Sequence, residues 1–260
     1  MSESAAFRLD AVSVTFGGKA ALDAVDVSIA PGDAVAFVGP SGAGKTTLLR
    51  LLNATQRPSG GCVQVDGRCL GRHTTRELKA VRARIGFVRQ DLALVPNLRV
   101  IQNVVAGRLG RMGLWRSLSA MTFPPHALAL EVHAALERVG IGEKLYERTD
   151  TLSGGQQQRV AIARALFQQP TAILADEPVS SVDPARARDT VALLTRISRE
   201  EGLTLCMSIH NLALAQEFFP RIVGLRAGRV AFDAAPAEIT AAQFAALYRL
   251  TAEEMLADGA

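Results

Sequence analysis

Long apolar runs are missing from this sequence of 260 residues. No stretch approaches the roughly 18 consecutive apolar residues that a helix needs to cross a bilayer. Glu3, Arg8 and Asp10 also interrupt any apolar region near the N-terminus, which argues against an ordinary signal peptide. If the protein works at a membrane, we expect another chain to supply the membrane span.

Cysteine is scarce as well. The three cysteines, Cys62, Cys69 and Cys206, are odd in number and match no spacing of metal ligands. This pattern excludes a cysteine-based metal site. It predicts reduced, structural thiols in a cytoplasmic protein.

A strong charge of either sign is absent too, because 29 Lys and Arg stand against 25 Asp and Glu, for a net charge of +4. This mild excess does not choose among nucleic acid, an anionic membrane face and an anionic ligand. Low-complexity tracts and internal repeats are also missing. With 48% hydrophobic residues, the chain is expected to be globular with a buried core.

Strand and helix patterns alternate at both ends of the chain. Short apolar runs that end in turns predict strands over 7–16, 25–30, 34–39, 171–177 and 203–209, and hairpins over 59–70 and 221–233. Helical patterns separate several of these runs, which predicts an α/β core with a mixed sheet. Helical spacing from about 93 to 163 predicts a helical insert, and the tail from about 237 is also predicted helical.

The stretch GPSGAGKTT over residues 39–47 is the first motif that carries chemistry. Gly39, Gly44, Lys45 and Thr46 fit the pattern G-x-x-x-x-G-K-[ST], which here follows an apolar strand and opens a helix. Glycines let backbone N–H groups turn inward around phosphate oxygens, and the helix N-terminus favours the same anion. Lys45 then places a cation on the β and γ phosphates, and Thr46 offers a hydroxyl to Mg²⁺.

Two adjacent carboxylates end the apolar run TAILADE. The run is apolar on both faces, as in a central parallel strand, and Asp176 lies at its carboxyl end. Strand alternation predicts that Glu177 points the other way, so that Asp176 serves Mg²⁺ while Glu177 activates a water as general base. An acidic pair that only caps a helix before Pro178 is the alternative.

The segment LSGGQQQRVAIARALF over 152–167 outlines a second anion site. Ser153 is a good N-cap, two glycines leave the backbone bare, and the helix is predicted to begin near Gln156. One nucleotide has no obvious need for two such loops from the same chain. We therefore infer that this loop serves a neighbouring copy, which two-fold symmetry permits.

Taken in this order, GPSGAGKTT, LSGGQ and ILADEP resemble the ATP-binding cassette family of transport ATPases. The resemblance covers residues 7–235 and implies a P-loop NTPase (RecA-like) α/β core, an antiparallel β subdomain and an inserted α-helical subdomain. It implies a core over 7–92 and 164–235, a helical subdomain over 93–163 and a C-terminal helical tail over 236–260. It also implies a head-to-tail dimer of two copies that binds ATP and Mg²⁺ between them.

The resemblance implies roles for single residues, position by position. Phe16 matches the aromatic residue that stacks on adenine, with a core phenylalanine as the alternative. Gln90 matches the glutamine that contacts Mg²⁺ and the attacking water, His210 matches the switch histidine at the γ-phosphate, and Asp183 matches the aspartate that crosses the dimer interface. The implied catalytic residues are Glu177, His210 and Gln90, and the implied metal ligands are Thr46, Gln90 and Asp176. The implied nucleotide contacts of the two loops are Gly39, Pro40, Ser41, Gly42, Ala43, Gly44, Lys45, Thr46, Thr47, Ser153, Gly154, Gly155 and Gln156.

Within this family, the sequence is most similar to the ATP-binding subunits of phosphonate importers. The similarity is carried by LVPNLRVIQNVVAGRLG (94–110), LWRSL (114–118), LSGGQQQRVAIARAL (152–166) and ILADEPVSSVDP (173–184). It implies a peripheral ATPase on the cytoplasmic face of the inner membrane that drives uptake of phosphonate or a related phosphorus oxyanion. Separate permease subunits are expected to dock near Gln90 and residues 91–115, and a solute-binding protein is an indirect partner.

The same ATPase chemistry also serves other transport systems, so other membrane partners are possible alternatives. The chain is also compatible with a cassette for another import cargo, an exporter, a lipoprotein-release complex or a cell-division complex. A DNA-associated ATPase of this family would use the positive charge, but no heptad pattern is sustained here over several repeats, so no nucleic acid is expected. The basic run from Arg68 to Arg84 is expected to be a solvated face, with contact to lipid headgroups as the alternative.

Overall fold

The computed structural model describes residues 6–179 and 183–248. Residues 180–182 and the end of the predicted tail, 249–260, lie outside this description. The strands are β1 (Phe7–Phe16), β2 (Lys19–Ile29), β3 (Ala34–Val38), β4 (Gly60–Val65), β5 (Arg68–Cys69), β6 (Ile85–Val88), β7 (Ala172–Asp176), β8 (Thr204–Ser208), β9 (Arg221–Arg226) and β10 (Arg229–Ala234). The helices are α1 (Lys45–Leu52), α2 (Thr75–Ala83), α3 (Val100–Val105), α4 (Leu114–Thr122), α5 (His126–Arg138), α6 (Gly154–Phe167), α7 (Pro184–Glu201), α8 (Leu212–Phe218) and α9 (Ala241–Tyr248).

A six-stranded mixed sheet forms the core, in the order β10-β9-β3-β8-β7-β6. The strands from β9 to β6 run parallel, and β10 closes the edge as the antiparallel arm of a hairpin with β9. The strands β7 and β8 are buried along their whole length, which explains why their sequences are apolar runs rather than alternating patterns. The carboxyl ends of β3, β7 and β8 meet at one edge of this sheet, where the predicted motifs lie.

The two faces of the core sheet pack against different partners. Val35 and Phe37 of β3 join a cluster with α1 and the strands β1 and β2, whereas Ala36 and Val38 join a cluster with α6 and α7. This division follows from the alternation of side chains along a strand. Burial of a large apolar side chain such as Phe37 stabilises the folded state by about 1.5–3 kcal/mol. Because β3 buries side chains on both faces of the sheet, packing on both sides fixes its position.

The second sheet is four-stranded and antiparallel, in the order β2-β1-β4-β5. Its β4–β5 hairpin turns at Asp66 and Gly67, which both have positive φ values of 48° and 77°. Positive φ at both central residues is the signature of the tightest hairpin turns and explains the Asp-Gly pair. The predicted antiparallel β subdomain is therefore present.

The prediction of three reduced thiols is wrong for two of them. The β4–β5 hairpin brings the Cα atoms of Cys62 and Cys69 within 5.8 Å, and the structure joins the pair in a disulfide. This separation lies within the range that a disulfide requires. Cys69 lies opposite Gln64, two positions along β4 from Cys62, and sequence spacing could not show that this diagonal pair would come so close. Cys206 is a free, buried thiol, and burial raises its pKa.

Helices occupy the segment that was predicted as an insert. Residues 93–163 contain α3, α4, α5 and most of α6, and they contribute no strand to either sheet. The exact division of the chain into subdomains stays a prediction, and its boundary at 163 falls inside α6. In the predicted tail, α9 is present up to Tyr248. None of the helices in the described ranges has the length and apolar character needed to span a membrane.

Candidate active site

The phosphate-binding loop predicted from sequence lies between β3 and α1. Gly39, Gly42 and Gly44 have positive φ values of 152°, 76° and 103°. Residues with a Cβ atom rarely adopt such values, so the loop favours glycine at these positions. Neighbouring backbone makes two of these glycines necessary as well: a Cβ atom on Gly39 would collide with the carbonyl oxygen of Leu225, and one on Gly44 would lie 2.6 Å from the carbonyl oxygen of Ala21. The loop is therefore held between the core sheet and β2.

Lys45 begins α1 and is buried, with only 4% of its surface exposed. Its ammonium group donates hydrogen bonds to the carbonyl oxygens of Gly39 and Pro40 at 2.9 and 3.0 Å. Burial lowers the pKa of Lys45, while the Glu177 carboxylate, 3.5 Å from its Nζ atom, opposes that shift. The cation thus points back across its own loop, where it would meet phosphate oxygens.

Asp176 lies at the end of β7 and is buried. Its Oδ1 atom accepts hydrogen bonds from the hydroxyl of Thr46 at 3.0 Å and from the hydroxyl of Ser208 at 2.9 Å. Parallel pairing of β7 with β8 sets Asp176 directly beside Ser208. Thr46 and Asp176, which lie 130 positions apart in sequence, are thereby joined in one hydroxyl–carboxylate pair.

Glu177 leaves the strand rather than continuing its alternation. Its φ value is +44°, a left-handed conformation that is uncommon for residues other than glycine and is typical of strained functional sites. Strand alternation therefore does not set the direction of the Glu177 side chain, because β7 ends at Asp176. Its Oε1 atom lies 2.5 Å from Nε2 of His210 and faces the Lys45 ammonium.

Gln90 lies beyond the end of its strand, since β6 stops at Val88. It lines a cavity of about 740 Å³ together with Thr46 and Asp176. A hydroxyl, a carboxylate and an amide oxygen are all ligands that Mg²⁺ accepts, and this ion commonly takes only one or two carboxylates beside phosphate oxygens. The three residues thus fit the predicted magnesium site.

Phe16 ends β1 and is 51% exposed. The alternative that it is a core phenylalanine is contradicted by this exposure. The hairpin that carries it turns at Gly17 and Gly18, both with positive φ. An exposed aromatic ring here is available to stack on a flat ligand, and its contact with adenine stays a prediction.

The second predicted loop caps α6. The Ser153 hydroxyl accepts from the N–H of Gln156, and the Gln156 side chain accepts from the N–H of Ser153, which forms a complete capping box. The helix begins at Gly154, two residues before the predicted start. Beyond Gly154 and Gly155 the space is open where a side chain would project. In the described part of the chain, no hydrogen bond or ion pair joins residues 153–156 to 39–47.

Asp183 has a local role within its own chain. Its Oδ1 atom accepts hydrogen bonds from the N–H groups of Ala185 and Arg186, both at 3.1 Å, and so caps α7. Its other carboxylate oxygen pairs with the Arg186 side chain at 3.1 Å. An N-cap aspartate before proline explains this position structurally, and its crossing of a dimer interface stays a prediction.

Sequence reasoning missed two buried polar residues near Glu177. Ser208 bonds the Asp176 carboxylate, and its oxygen also accepts the N–H of Glu177 at 2.8 Å. Gln158 of α6 donates to the carbonyl oxygen of Pro178 and accepts from the Thr190 hydroxyl at 3.1 Å. Ser208 ends the apolar run of β8, so a polar residue in an apolar run was its available signal. Gln158 stands among polar residues at the start of α6 and gave no such signal.

Known proteins with similar sequences are ATP-binding subunits of transporters. A family model described as "ABC transporter" matches residues 22–180. The phosphonates import ATP-binding protein PhnC 2 of Pseudomonas aeruginosa (strain UCBPP-PA14) is 46% identical over 241 residues, which is 92% of this chain and 90% of that protein. The phosphonates import ATP-binding protein PhnC 2 of Rhodopseudomonas palustris (strain BisB18) is 43% identical over 248 residues, or 95% and 91% of the two chains.

Solved structures with a similar fold belong to the same family as these relatives. The dimeric structure of MJ0796, a bacterial ABC transporter cassette, has a TM-score of 0.77 at 30% identity and covers 88% of this chain and 98% of its own. A dimeric post-hydrolysis state of the same cassette, bound to ADP and Pi, has a TM-score of 0.71 at 30% identity, with the same coverage. The predicted fold, a P-loop NTPase core with a β subdomain and a helical insert, is confirmed.

Proposed function

The chain belongs to the ABC transporter family, and from this premise we propose that it is the ATP-hydrolysing subunit of a phosphonate importer. Its cargo would be phosphonate or a related phosphorus oxyanion, carried through a separate membrane permease. One observation carries the ATPase chemistry: Glu177, Lys45 and His210 converge on a glycine loop built for phosphate. The cargo class rests on relatives that are named phosphonates import ATP-binding proteins and are 43% to 50% identical.

We infer the catalytic roles from the geometry of the chain itself. The N–H groups of the loop and the Lys45 ammonium would bind the β and γ phosphates. Thr46, Asp176 and Gln90 would hold Mg²⁺, which when bound neutralises charge on the phosphate oxygens. Glu177 would take a proton from the attacking water, and the contact of its Oε1 atom with the His210 imidazole at 2.5 Å would orient the carboxylate for this step.

A second copy of the chain is proposed to complete each site. Ser153 and the two glycines after it form an anion-binding helix start that has open space in front of it. The backbone N–H groups of Gly154 and Gly155 would contact the γ-phosphate held by the partner copy. The dimeric state of a related cassette supports the pairing of two copies, which we propose to be head to tail.

The permease is proposed to dock on the helical insert, on the cytoplasmic face of the cell membrane. Large apolar side chains are exposed there, with Leu114 at 80%, Trp115 at 81% and Phe123 at 84%. Exposed large apolar side chains that lie together commonly mark protein interfaces, and tryptophan is enriched among residues that dominate binding energy. The solute-binding protein would act on the permease and only indirectly on this chain.

Substitution of Trp115 tests the docking surface. Trp115→Ser should weaken association with the permease at least about tenfold, because central interface aromatics contribute about 2 kcal/mol or more. Leu130→Ser is the matched control, since Leu130 is also exposed and lies on α5 of the same insert. Association is measured by copurification from detergent. Equal permease recovery for the two variants would remove Trp115 from the docking surface.

The transport function is tested by reconstitution. The chain is coexpressed with the permease subunits of a phosphonate importer from its source organism, and the complex is placed in liposomes with the matching solute-binding protein. We expect ATP turnover to rise when the solute-binding protein carries methylphosphonate and to stay basal with an amino acid. Stimulation by the amino acid alone would reassign the cargo, and failure to bind any permease would overturn the importer role.

A further inference from the structure

Ser208 is a buried polar residue that the predicted machinery does not include. It is the last residue of β8 and is fully buried, with 0% of its surface exposed. Its hydroxyl donates to Oδ1 of Asp176 at 2.9 Å, and its oxygen accepts the N–H of Glu177 at 2.8 Å. One side chain therefore contacts both acidic residues, donating to one and accepting from the other.

The two hydrogen bonds of Ser208 restrain the backbone of Glu177 and the carboxylate of Asp176. Glu177 has a φ value of +44°, and a residue persists in that conformation only where its surroundings hold it there. The bond from its N–H to Ser208 is such a restraint. Asp176 accepts from both Thr46 and Ser208 through its Oδ1 atom, which restrains that oxygen and leaves Oδ2 for another ligand.

We propose that Ser208 is a positioning residue for hydrolysis, which orients the Asp176 carboxylate toward Mg²⁺ and holds the Glu177 backbone in its active conformation. The proposal rests on the proposed ATPase function. Residues that orient metal ligands typically change metal affinity or activity 10- to 100-fold when they are removed. Ser208 acts through Asp176 and Glu177, so it should affect turnover and Mg²⁺ use rather than nucleotide binding itself.

The alternative is that Ser208 has only a structural role, as a buried hydroxyl whose hydrogen bonds are satisfied within the core. The chain offers a matched case in Ser198 of α7, which is 2% exposed and donates to the carbonyl oxygen of Leu203 at 2.6 Å. Ser198 contacts none of the site residues. Loss of either hydroxyl removes a buried hydrogen bond, so both alanine variants should lower the melting temperature by a few degrees.

The experiment compares Ser208→Ala with Ser198→Ala and the unaltered full-length chain. ATP turnover is measured against ATP and against Mg²⁺ concentration, and binding of a fluorescent ATP analogue is titrated with and without Mg²⁺. For Ser208→Ala we expect kcat to fall about 10- to 100-fold and the Mg²⁺ concentration for half-maximal effect to rise about tenfold in both assays. The KM for ATP and Mg²⁺-free binding of the analogue should stay within about threefold.

Two results would overturn the positioning role. One is a kcat and a Mg²⁺ dependence for Ser208→Ala within about twofold of the unaltered chain; the other is an equal loss in Ser198→Ala. If the unaltered chain does not hydrolyse ATP, the proposed function fails instead. The Mg²⁺ dependence of analogue binding still decides the role of Ser208 in that case.

Discussion

Replacing Glu177 with glutamine is expected to lower ATP turnover by at least about 10²-fold, the usual contribution of a general base. Glutamine preserves the size of the side chain but cannot take a proton from water. Binding of ATP should persist, because the loop and Lys45 are unchanged. Persistent ATP without hydrolysis should in turn hold two copies together, so the variant is expected to elute as a dimer when ATP is present.

The control uses the same substitution at a distant ion pair. Glu147 lies 3.0 Å from Lys144 in the helical insert, is partly exposed and contacts no site residue. Glu147→Gln should retain normal turnover. Steady-state phosphate release and size-exclusion chromatography with ATP measure both effects. Near-normal turnover in Glu177→Gln would remove Glu177 from the role of general base.

Replacing Gly154 with aspartate should strongly reduce ATP turnover without lowering the stability of the fold. The space in front of Gly154 is open, so the new side chain meets no neighbour. A carboxylate at a helix N-terminus is neutral or mildly favourable for stability. In a closed dimer, however, it would face the γ-phosphate of the partner copy, and like charges in contact cost several kcal/mol. We expect a loss of about 10²-fold or more in turnover.

Gly113→Asp is the matched variant, because Gly113 is also an open glycine at the start of a helix. It should change neither the melting temperature nor basal turnover. Binding of ATP to the separate Gly154→Asp copy should also be normal, since residue 154 is proposed to serve the partner's nucleotide. A Gly154→Asp variant that fails to bind ATP as a monomer would place both loops on one nucleotide within one chain.

The local motifs were predictable because their chemistry is encoded in consecutive residues. Gly39, Gly42 and Gly44 have positive φ, and nearby backbone also excludes a side chain at Gly39 and Gly44, so the glycine spacing predicts the loop. The strand before it and the helix after it follow from apolar periodicity. The β4–β5 hairpin was likewise predicted from its Asp-Gly turn.

Contacts between distant segments were not predictable from the sequence. Ser208 reaches Asp176 only because β7 and β8 are adjacent in the sheet, and strand order has no local signal. The disulfide of Cys62 and Cys69 depends on the register across the turn. The strained backbone of Glu177 ends the alternation that a strand pattern assumes. Dimer contacts of Asp183 and Ser153 involve a second chain and stay predictions.

In the proposed dimer, one ATP is held by the Lys45 loop of one copy and the Ser153 loop of another. Mixing two defective copies tests it directly. Lys45→Ala and Gly154→Asp are each combined with Glu177→Gln to prevent hydrolysis, and the two chains carry different affinity tags. In a mixed dimer one site has both defects and the other has neither.

Copurification of the two tags is measured with and without ATP. We expect that neither variant dimerises alone, whereas the mixture forms an ATP-dependent heterodimer that retains one nucleotide for two chains. If ATP brings no heterodimer together in the mixture, while the Glu177→Gln chain with both loops intact does dimerise, the two loops do not share a nucleotide across copies.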